Sequence, residues 1–107
     1  MARRSTTAAF EFAPAGAVGT FALSGVLSFE TAAAALARGT ALFGGAGSRS
    51  VDLSGVTHAD SAGLSVLLTW VERARREGWH LRYTALPPQL LGIARLCAVE
   101  KMLAAAE

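Results

Sequence analysis

The chain of 107 residues is 52% hydrophobic and 17% charged, with a formal net charge of +2 at pH 7. This length and composition exclude a disordered chain and predict one domain, residues 1–107, around a single hydrophobic core. The lysines and arginines are scattered along the sequence, so no continuous basic face for nucleic acid is expected.

The first predicted elements are the two strands of a β-hairpin. Residues 8–13 and 20–24 alternate apolar residues with small or polar ones, which is the pattern of a strand with one buried face. Residues 14–16, Pro-Ala-Gly, lie between them and are typical of a turn.

The first predicted helix covers the alanine-rich run 31–43. Ser28 is suited to cap its N-terminus, and the glycines within 44–47 are expected to end it. Because this glycine-rich run follows a helix and not a strand, it predicts a turn instead of a phosphate-binding loop.

The second half of the chain predicts strands and helices in alternation, an order typical of a partly parallel sheet. Gly78 is expected to end the longest helix in the left-handed conformation, with Trp79 folded back over its last turn. The predicted elements are a strand over 50–53, a helix over 61–77, a strand over 80–84, a helix from 86 to 97–99 and an edge strand over 101–103.

The sequence carries no recognisable catalytic or metal-binding pattern. His58 and His80 have no cysteine or carboxylate at ligand spacing, and the single Cys97 is expected to be a small core residue. Ser61, His58 and Asp60 form a catalytic set on paper, but residues this close on one turn rarely align for proton transfer. We therefore predict neither an enzyme, nor a metal site, nor a bound cofactor.

A small polar segment, Asp60-Ser61-Ala62-Gly63, lies at the start of the longest helix. Backbone N–H groups at a helix N-terminus have no partner within the helix, and the peptide dipoles there favour negative charge. Asp60 or Ser61 is therefore predicted to cap the helix. The same arrangement would display Ser61 at the surface to a partner protein, a kinase or an anion.

The surface of this helix carries a second pattern. Helical spacing predicts a core stripe made of Leu64, Leu67, Val71 and Ala74. Val66 and Trp70, on the opposite border, continue the apolar surface toward Arg73. Two interpretations stay open, since Trp70 is either a partly exposed anchor for a partner or packed under a neighbouring helix or loop.

Three segments of the chain form a recognisable combination. They are the strand-loop-helix 51–64, with VDLSGV and DSAGL, the earlier LSGVL at 23–27 and the later LPPQL at 86–90. In this order they resemble the STAS domain (sulfate transporter and anti-sigma factor antagonist), and with the tail 92–100 they are most similar to the STAS subunits of Mla-type ABC transporters. The resemblance implies an α/β fold, a STAS-type mixed sheet of four to five strands with three to four helices packed on it.

The function that the resemblance implies is that of a non-catalytic cytoplasmic subunit, peripheral to the inner membrane through its complex and without direct membrane insertion. Such subunits bind the ATPase of the transporter (MlaF-like), and through it the permease, and support phospholipid trafficking and outer-membrane lipid asymmetry. Ser61 occupies the position that anti-sigma factor antagonists use as a phosphorylation switch. The implied partner-binding residues are Asp60, Ser61, Ala62, Gly63, Ser65, Val66, Thr69, Trp70 and Arg73.

The second interpretation of the resemblance is an anti-sigma factor antagonist that is regulated by serine phosphorylation by a partner kinase. Those proteins commonly carry an acidic Gly-Glu-Leu-Asp turn where this chain has Gly25-Val26-Leu27-Ser28. The absence of both carboxylates removes expected contacts to a kinase, which favours the transporter subunit.

Overall fold

The computed structural model describes residues 10–44 and 47–106, which form four strands and four helices. The elements are β1 (Phe10–Pro14), β2 (Thr20–Leu27), α1 (Ala32–Leu42), β3 (Arg49–Ala59), α2 (Ser61–Glu77), β4 (Leu81–Thr84), α3 (Pro88–Leu96) and α4 (Glu100–Ala106). The strands form one sheet in the order β1-β2-β3-β4, in which β1 is antiparallel to β2 and the other neighbours are parallel. The predicted α/β class with a mixed sheet is confirmed.

One face of the sheet is buried and the other is partly open to solvent. Alternate strand residues, among them Phe12, Val51 and Tyr83, are buried, whereas Arg82 beside Tyr83 is exposed. This alternation is typical of a sheet with one solvated face. The Tyr83 hydroxyl donates to the Leu67 carbonyl at 2.7 Å, so a buried hydrogen bond joins β4 to α2. Burial raises the pKa of the Tyr83 hydroxyl well above 10.0.

A cluster of aromatic rings joins α2 to α1 and β1. The Trp70 indole is 2% exposed, stacks on Phe12 at a centroid distance of 5.1 Å and meets the edge of Phe43 at 5.2 Å. Gly39 of α1 lies directly against the indole, since a Cβ placed there would come within 2.6 Å of Trp70 Nε1. The two helices therefore approach each other through a glycine on one and a tryptophan on the other.

A buried arginine organises the connection between α1 and β3. The Arg49 guanidinium donates to the carbonyls of Phe43 and Gly44, each at 3.0 Å, and to the carbonyl of Gly47, and it lies 4.4 Å above the Trp79 ring. Backbone carbonyls and an aromatic face thus replace the water that a buried charge loses. The Arg49 side chain binds both ends of the glycine-rich segment in which a turn was expected. Gly45 and Ala46, in the middle of this segment, lie outside the described residues.

The end of α2 is the one predicted from the sequence. Gly78 has φ +82°, in the left-handed region that favours glycine, and the N–H groups of Gly78 and Trp79 both donate to the Ala74 carbonyl.

Among the helices in the described ranges, none combines the length and the hydropathy that crossing a membrane requires.

Several element boundaries differ from the prediction; β2, for example, ends at Leu27 and not at 24. The helix α1 begins after Thr31 and not after Ser28, because the Ser28 N–H donates to Thr31 Oγ1 inside a turn that precedes the helix. The strand β3 extends over Arg49–Ala59, well past 50–53, because it pairs with β2 along nearly its whole length. In the first strand, the predicted positions 8 and 9 lie outside the described residues.

The C-terminal part of the prediction is wrong in two respects. Residues 101–103 belong to α4 and do not form an edge strand, because α4 packs on α2, α3 and β4 and buries Leu103 completely. Cys97 is exposed and is not a core residue, because it caps the end of α3, past Ala94, the last buried residue of that helix. A short apolar segment has too few residues to show a helical or strand period, so only packing decides its structure.

Candidate functional site

The candidate site lies at the carboxyl edge of the sheet, where β2 and β3 end side by side. Because these strands are parallel, the segments that follow them, 28–31 and 60–63, meet at the same edge. Two hydrogen bonds join them: the Phe29 N–H donates to Asp60 Oδ2 (3.2 Å), and the Asp60 N–H donates to the Leu27 carbonyl (3.4 Å). Open α/β sheets place their binding sites outside the carboxyl ends of their strands.

Asp60 is the residue that caps α2. Its Oδ1 accepts hydrogen bonds from the backbone N–H groups of Ala62 (2.9 Å) and Gly63 (3.1 Å), and its own backbone is extended. Of the two predicted candidates for the cap, Asp60 is the one confirmed. Burial alone would raise the pKa of Asp60, but three backbone N–H donors and the nearby His58 together outweigh burial and hold this pKa below 3.8.

Gly63 lets the first turn of α2 approach β2 more closely than any other residue would. It is buried, and a Cβ at this position would lie 2.1 Å from the Leu27 carbonyl oxygen and 3.0 Å from Leu27 Cγ. The absence of a side chain therefore fixes the distance between the start of the helix and the end of the strand.

Three hydroxyl side chains follow one exposed face of α2. Ser61, Ser65 and Thr69 are all exposed and are spaced four residues apart, so they lie above one another along the helix. The hydroxyl of Ser65 donates to the Ser61 carbonyl (3.1 Å), and that of Thr69 donates to the Ser65 carbonyl (2.7 Å). We call these three residues the hydroxyl stripe; their oxygens keep lone pairs for donors on another molecule.

The structure divides the nine predicted partner-binding residues into three groups. The hydroxyl stripe is exposed, whereas Asp60, Ala62 and Arg73 are half-buried, with Arg73 Nε 3.3 Å from Glu77 Oε2. The remaining three, Gly63, Val66 and Trp70, are buried.

Gly63, Val66 and Trp70 are therefore not available as surface contacts, which corrects their assignment to the partner-binding set. Gly63 is buried against Leu27, and the side chains of Val66 and Trp70 are 2% exposed or less. The reason is that α2 packs against α1 on one side and against α3 and α4 on the other, so its buried arc is wider than the four-residue stripe that periodicity indicates. The second interpretation of Trp70, as a residue packed under a neighbouring helix, is confirmed.

Phe29 is a surface residue that the sequence analysis missed. Its side chain is 80% exposed, and its backbone is bound to Asp60 at the candidate site. The available signal was an aromatic residue in the polar segment Ser28-Phe29-Glu30, between a predicted strand and a predicted helix. An aromatic residue in a polar turn contributes little to either element, which is a reason to expect it at an interface.

The side chains of Asp60, His58 and Ser61 are not joined to one another by hydrogen bonds. Both carboxylate oxygens of Asp60 accept backbone N–H groups instead. Catalytic triads need a carboxylate that orients the histidine. Within residues 10–44 and 47–106, no three metal-ligating side chains are grouped together.

Replacing Asp60 with alanine is expected to lower the free energy of unfolding by about 1–2 kcal/mol, because the bonds to α2 and to the turn after β2 are lost together. The stabilisation should also depend on pH. Since the folded pKa of Asp60 lies below that of the unfolded chain, its contribution is complete above about pH 5 and is lost as the pH falls below 3.8 through the folded pKa. Urea unfolding at neutral and at acid pH measures both effects.

Two variants at the same place act as controls. Asp60→Asn keeps a capping oxygen without a titratable group, so it should retain part of the stability and remove the share of Asp60 in the acid-dependent loss. Ser61→Ala should change stability by no more than about 0.5 kcal/mol, since Ser61 is exposed and does not cap the helix. Equal losses for Asp60→Ala and Ser61→Ala would contradict the assigned cap.

Comparison with known proteins identifies the fold that holds this site. A family model described as "Mlab, STAS domain" matches residues 10–104. Among solved structures, the crystal structure of a sulfate transporter family protein from Wolinella succinogenes matches with a TM-score of 0.64 at 17% sequence identity, over 87% of this chain and 75% of that chain. No curated protein sequence matches the chain. At this level of identity the structural likeness shows the fold alone.

Proposed function

The chain belongs to the STAS domain family, and from this membership we propose that it is the STAS subunit of a Mla-type ABC transporter. In this proposal it is a non-catalytic cytoplasmic protein that binds the ATPase subunit (MlaF-like) and, through it, the permease. It reaches the inner membrane only through that complex. Its role is to support the ATPase in phospholipid trafficking that maintains outer-membrane lipid asymmetry.

The observation that carries the proposal is the exposed hydroxyl stripe beside the Asp60 cap. Ser61, Ser65 and Thr69 are neutral, so a partner that covers them does not have to desolvate a charge. They stand on a helix whose start is fixed by Asp60 and by the close contact of Gly63 with β2. A neutral, preorganised helix face suits a stable contact with another protein subunit.

The alternative function is that of an anti-sigma factor antagonist, and the exposure of Ser61 is the observation that favours it. A kinase can reach an exposed serine at the start of a helix, and the helix dipole would tolerate the added phosphate. The turn before α1 argues against this alternative. Val26, near the end of β2, and Ser28, which follows it, are uncharged, so this segment lacks the two carboxylates expected to contact a kinase.

The experiment that tests the proposal is an affinity pull-down of the tagged chain from its native membranes, with mass spectrometry of the recovered proteins. Recovery of an ABC ATPase together with its permease supports the transporter subunit. Recovery of a soluble serine kinase instead supports the anti-sigma factor antagonist. Recovery of neither overturns both functions.

Within this experiment, Ser61→Asp is expected to reduce recovery of the ATPase by about tenfold or more. The new carboxylate would lie next to Asp60, and a partner covering it would have to desolvate an unpaired charge. The fold should persist, because acidic residues are favourable in the first turn of a helix. Circular dichroism melting of the variant checks this.

Ser48→Asp is the matched control for this prediction. Ser48 is also exposed, but it precedes the 11-residue strand β3, whereas Ser61 follows it. The rise per residue of a strand places the two positions about 35 Å apart. Undiminished recovery with Ser48→Asp and reduced recovery with Ser61→Asp would locate the contact at the carboxyl edge, and equal reductions would contradict that location.

A further inference from the structure

Phe29 is the most exposed aromatic side chain in the part of the chain that the structure describes. It is 80% exposed, whereas the other aromatic residues there are buried or half-buried. Single exposed apolar residues are common on protein surfaces, so exposure alone does not make Phe29 a contact. What distinguishes Phe29 is the turn that presents it and its place beside Asp60.

The turn that carries Phe29 is held rigidly. The Thr31 hydroxyl accepts from the Ser28 N–H (3.0 Å) and donates to the Val26 carbonyl (2.9 Å), while the Thr31 N–H donates to the Ser28 carbonyl (3.0 Å). The Phe29 N–H is bound by Asp60 Oδ2. A side chain presented by a fixed backbone loses little further conformational entropy on binding, which is the property of an interface anchor.

Asp60 makes Phe29 and the start of α2 parts of one surface. One oxygen of this carboxylate accepts from Phe29 and the other from Ala62 and Gly63, so a single side chain sets the turn and the helix relative to each other. Phe29 therefore borders the hydroxyl stripe at its Ser61 end. Glu30, the next residue in the chain, is exposed and makes the Phe29 end of this surface acidic.

We propose that Phe29 is the aromatic anchor by which the chain binds the transporter ATPase, inserting its ring into an apolar pocket of that subunit that has a lysine or arginine facing Glu30. The inference rests on the proposed function and adds to it a residue that anchors the contact. The apolar pocket follows from the neutral ring and the neutral hydroxyl stripe beside it. The basic group follows from Glu30, the exposed carboxylate next to Phe29 in the chain, since the Asp60 carboxylate is already bound by three backbone N–H groups.

Two other exposed apolar side chains supply the comparison. Val18 is 105% exposed, but it lies before β2 while Phe29 lies after it, so the eight-residue strand separates them by about 25 Å. Leu96 is 89% exposed at the last residue of α3, a helix that begins after β4 at the carboxyl edge and runs back along the sheet. Neither Val18 nor Leu96 therefore belongs to the surface formed by the turn 28–31 and the start of α2.

The test is a titration of the purified ATPase subunit with the purified full chain, by calorimetry or biolayer interferometry, with Phe29→Ala, Phe29→Leu, Val18→Ala and Leu96→Ala. We expect Phe29→Ala to raise Kd about 30-fold or more, because truncating an anchor typically has an effect of this size. Phe29→Leu, which keeps an apolar side chain, should recover part of the affinity. Val18→Ala and Leu96→Ala should change Kd by less than about twofold.

The outcomes separate this inference from the proposed function. If the unsubstituted chain binds the ATPase and Phe29→Ala binds equally well, the anchor is wrong and the proposed function stands. If the unsubstituted chain does not bind the ATPase, both fall together. Since Phe29 is exposed, its variants should melt at the temperature of the parent chain, and a lower melting temperature would show that the ring supports the fold instead of the interface.

Discussion

Replacing Trp70 with alanine is expected to lower the free energy of unfolding by about 3–5 kcal/mol, the range found when a buried aromatic side chain is removed. The indole is 2% exposed, stacks on Phe12 and meets the edge of Phe43, so its removal leaves a cavity between α2, α1 and β1. A loss of this size is a large part of the stability of a typical domain. Urea or thermal unfolding measures it.

Trp79→Ala is the matched control, since Trp79 is half-buried at the end of α2 and should show a smaller loss. Where Trp70→Ala leaves too little folded protein, Trp70→Phe keeps an aromatic ring and permits measurement. The affinity of the folded fraction for the ATPase should not change. A variant that melted like the parent chain but failed to bind would restore the interpretation of Trp70 as a surface anchor.

The contact between Trp70 and Gly39 provides a second test of the same packing. Gly39→Ala should destabilise the parent chain, because its Cβ would come within 2.6 Å of the indole. The same substitution should cost much less in a Trp70→Leu background, where the ring is absent. A double-mutant cycle without a coupling energy would contradict the contact.

Gly63→Val is expected to lower the free energy of unfolding by about 3 kcal/mol or more. A Cβ at Gly63 would lie 2.1 Å from the Leu27 carbonyl oxygen, which belongs to the backbone of β2 and cannot rotate away as a side chain can. The start of α2 would have to move away from the sheet, and the bonds of Asp60 to Ala62 and Gly63 would be disturbed. The expected signature is loss of folded protein.

Gly92→Ala is the control for this prediction. Gly92 also lies inside a helix, but apart from that helix's own neighbouring atoms nothing lies within 4 Å of the position that its Cβ would take. Alanine is the better helix former by about 1 kcal/mol, so this variant should be as stable as the parent chain or more stable. A Gly63→Val variant that folded normally and only failed to bind a partner would contradict the assigned role of Gly63.

The features that could be predicted from the sequence are those that depend on residues close together in the chain. The Asp60 cap, the left-handed Gly78 and the α2 bounds depend on residues that are close in the chain, and the structure has them as predicted. The order of strands and helices up to α3 followed in the same way from local periodicity. These features need few distant contacts, because helix caps and turns are satisfied by neighbouring backbone groups.

The tertiary structure decided the features that depend on what packs against what. Periodicity placed Trp70 at the border of the helix surface and left its exposure open, and only the position of α1, with Gly39 against the indole, buried it. The C-terminal segment became a helix because α2, α3 and β4 leave a site for Leu103. Phe29 meets Asp60 only because β2 and β3 are parallel and end together. Such contacts join residues far apart in the chain, and a local sequence pattern does not show which element packs against a given residue.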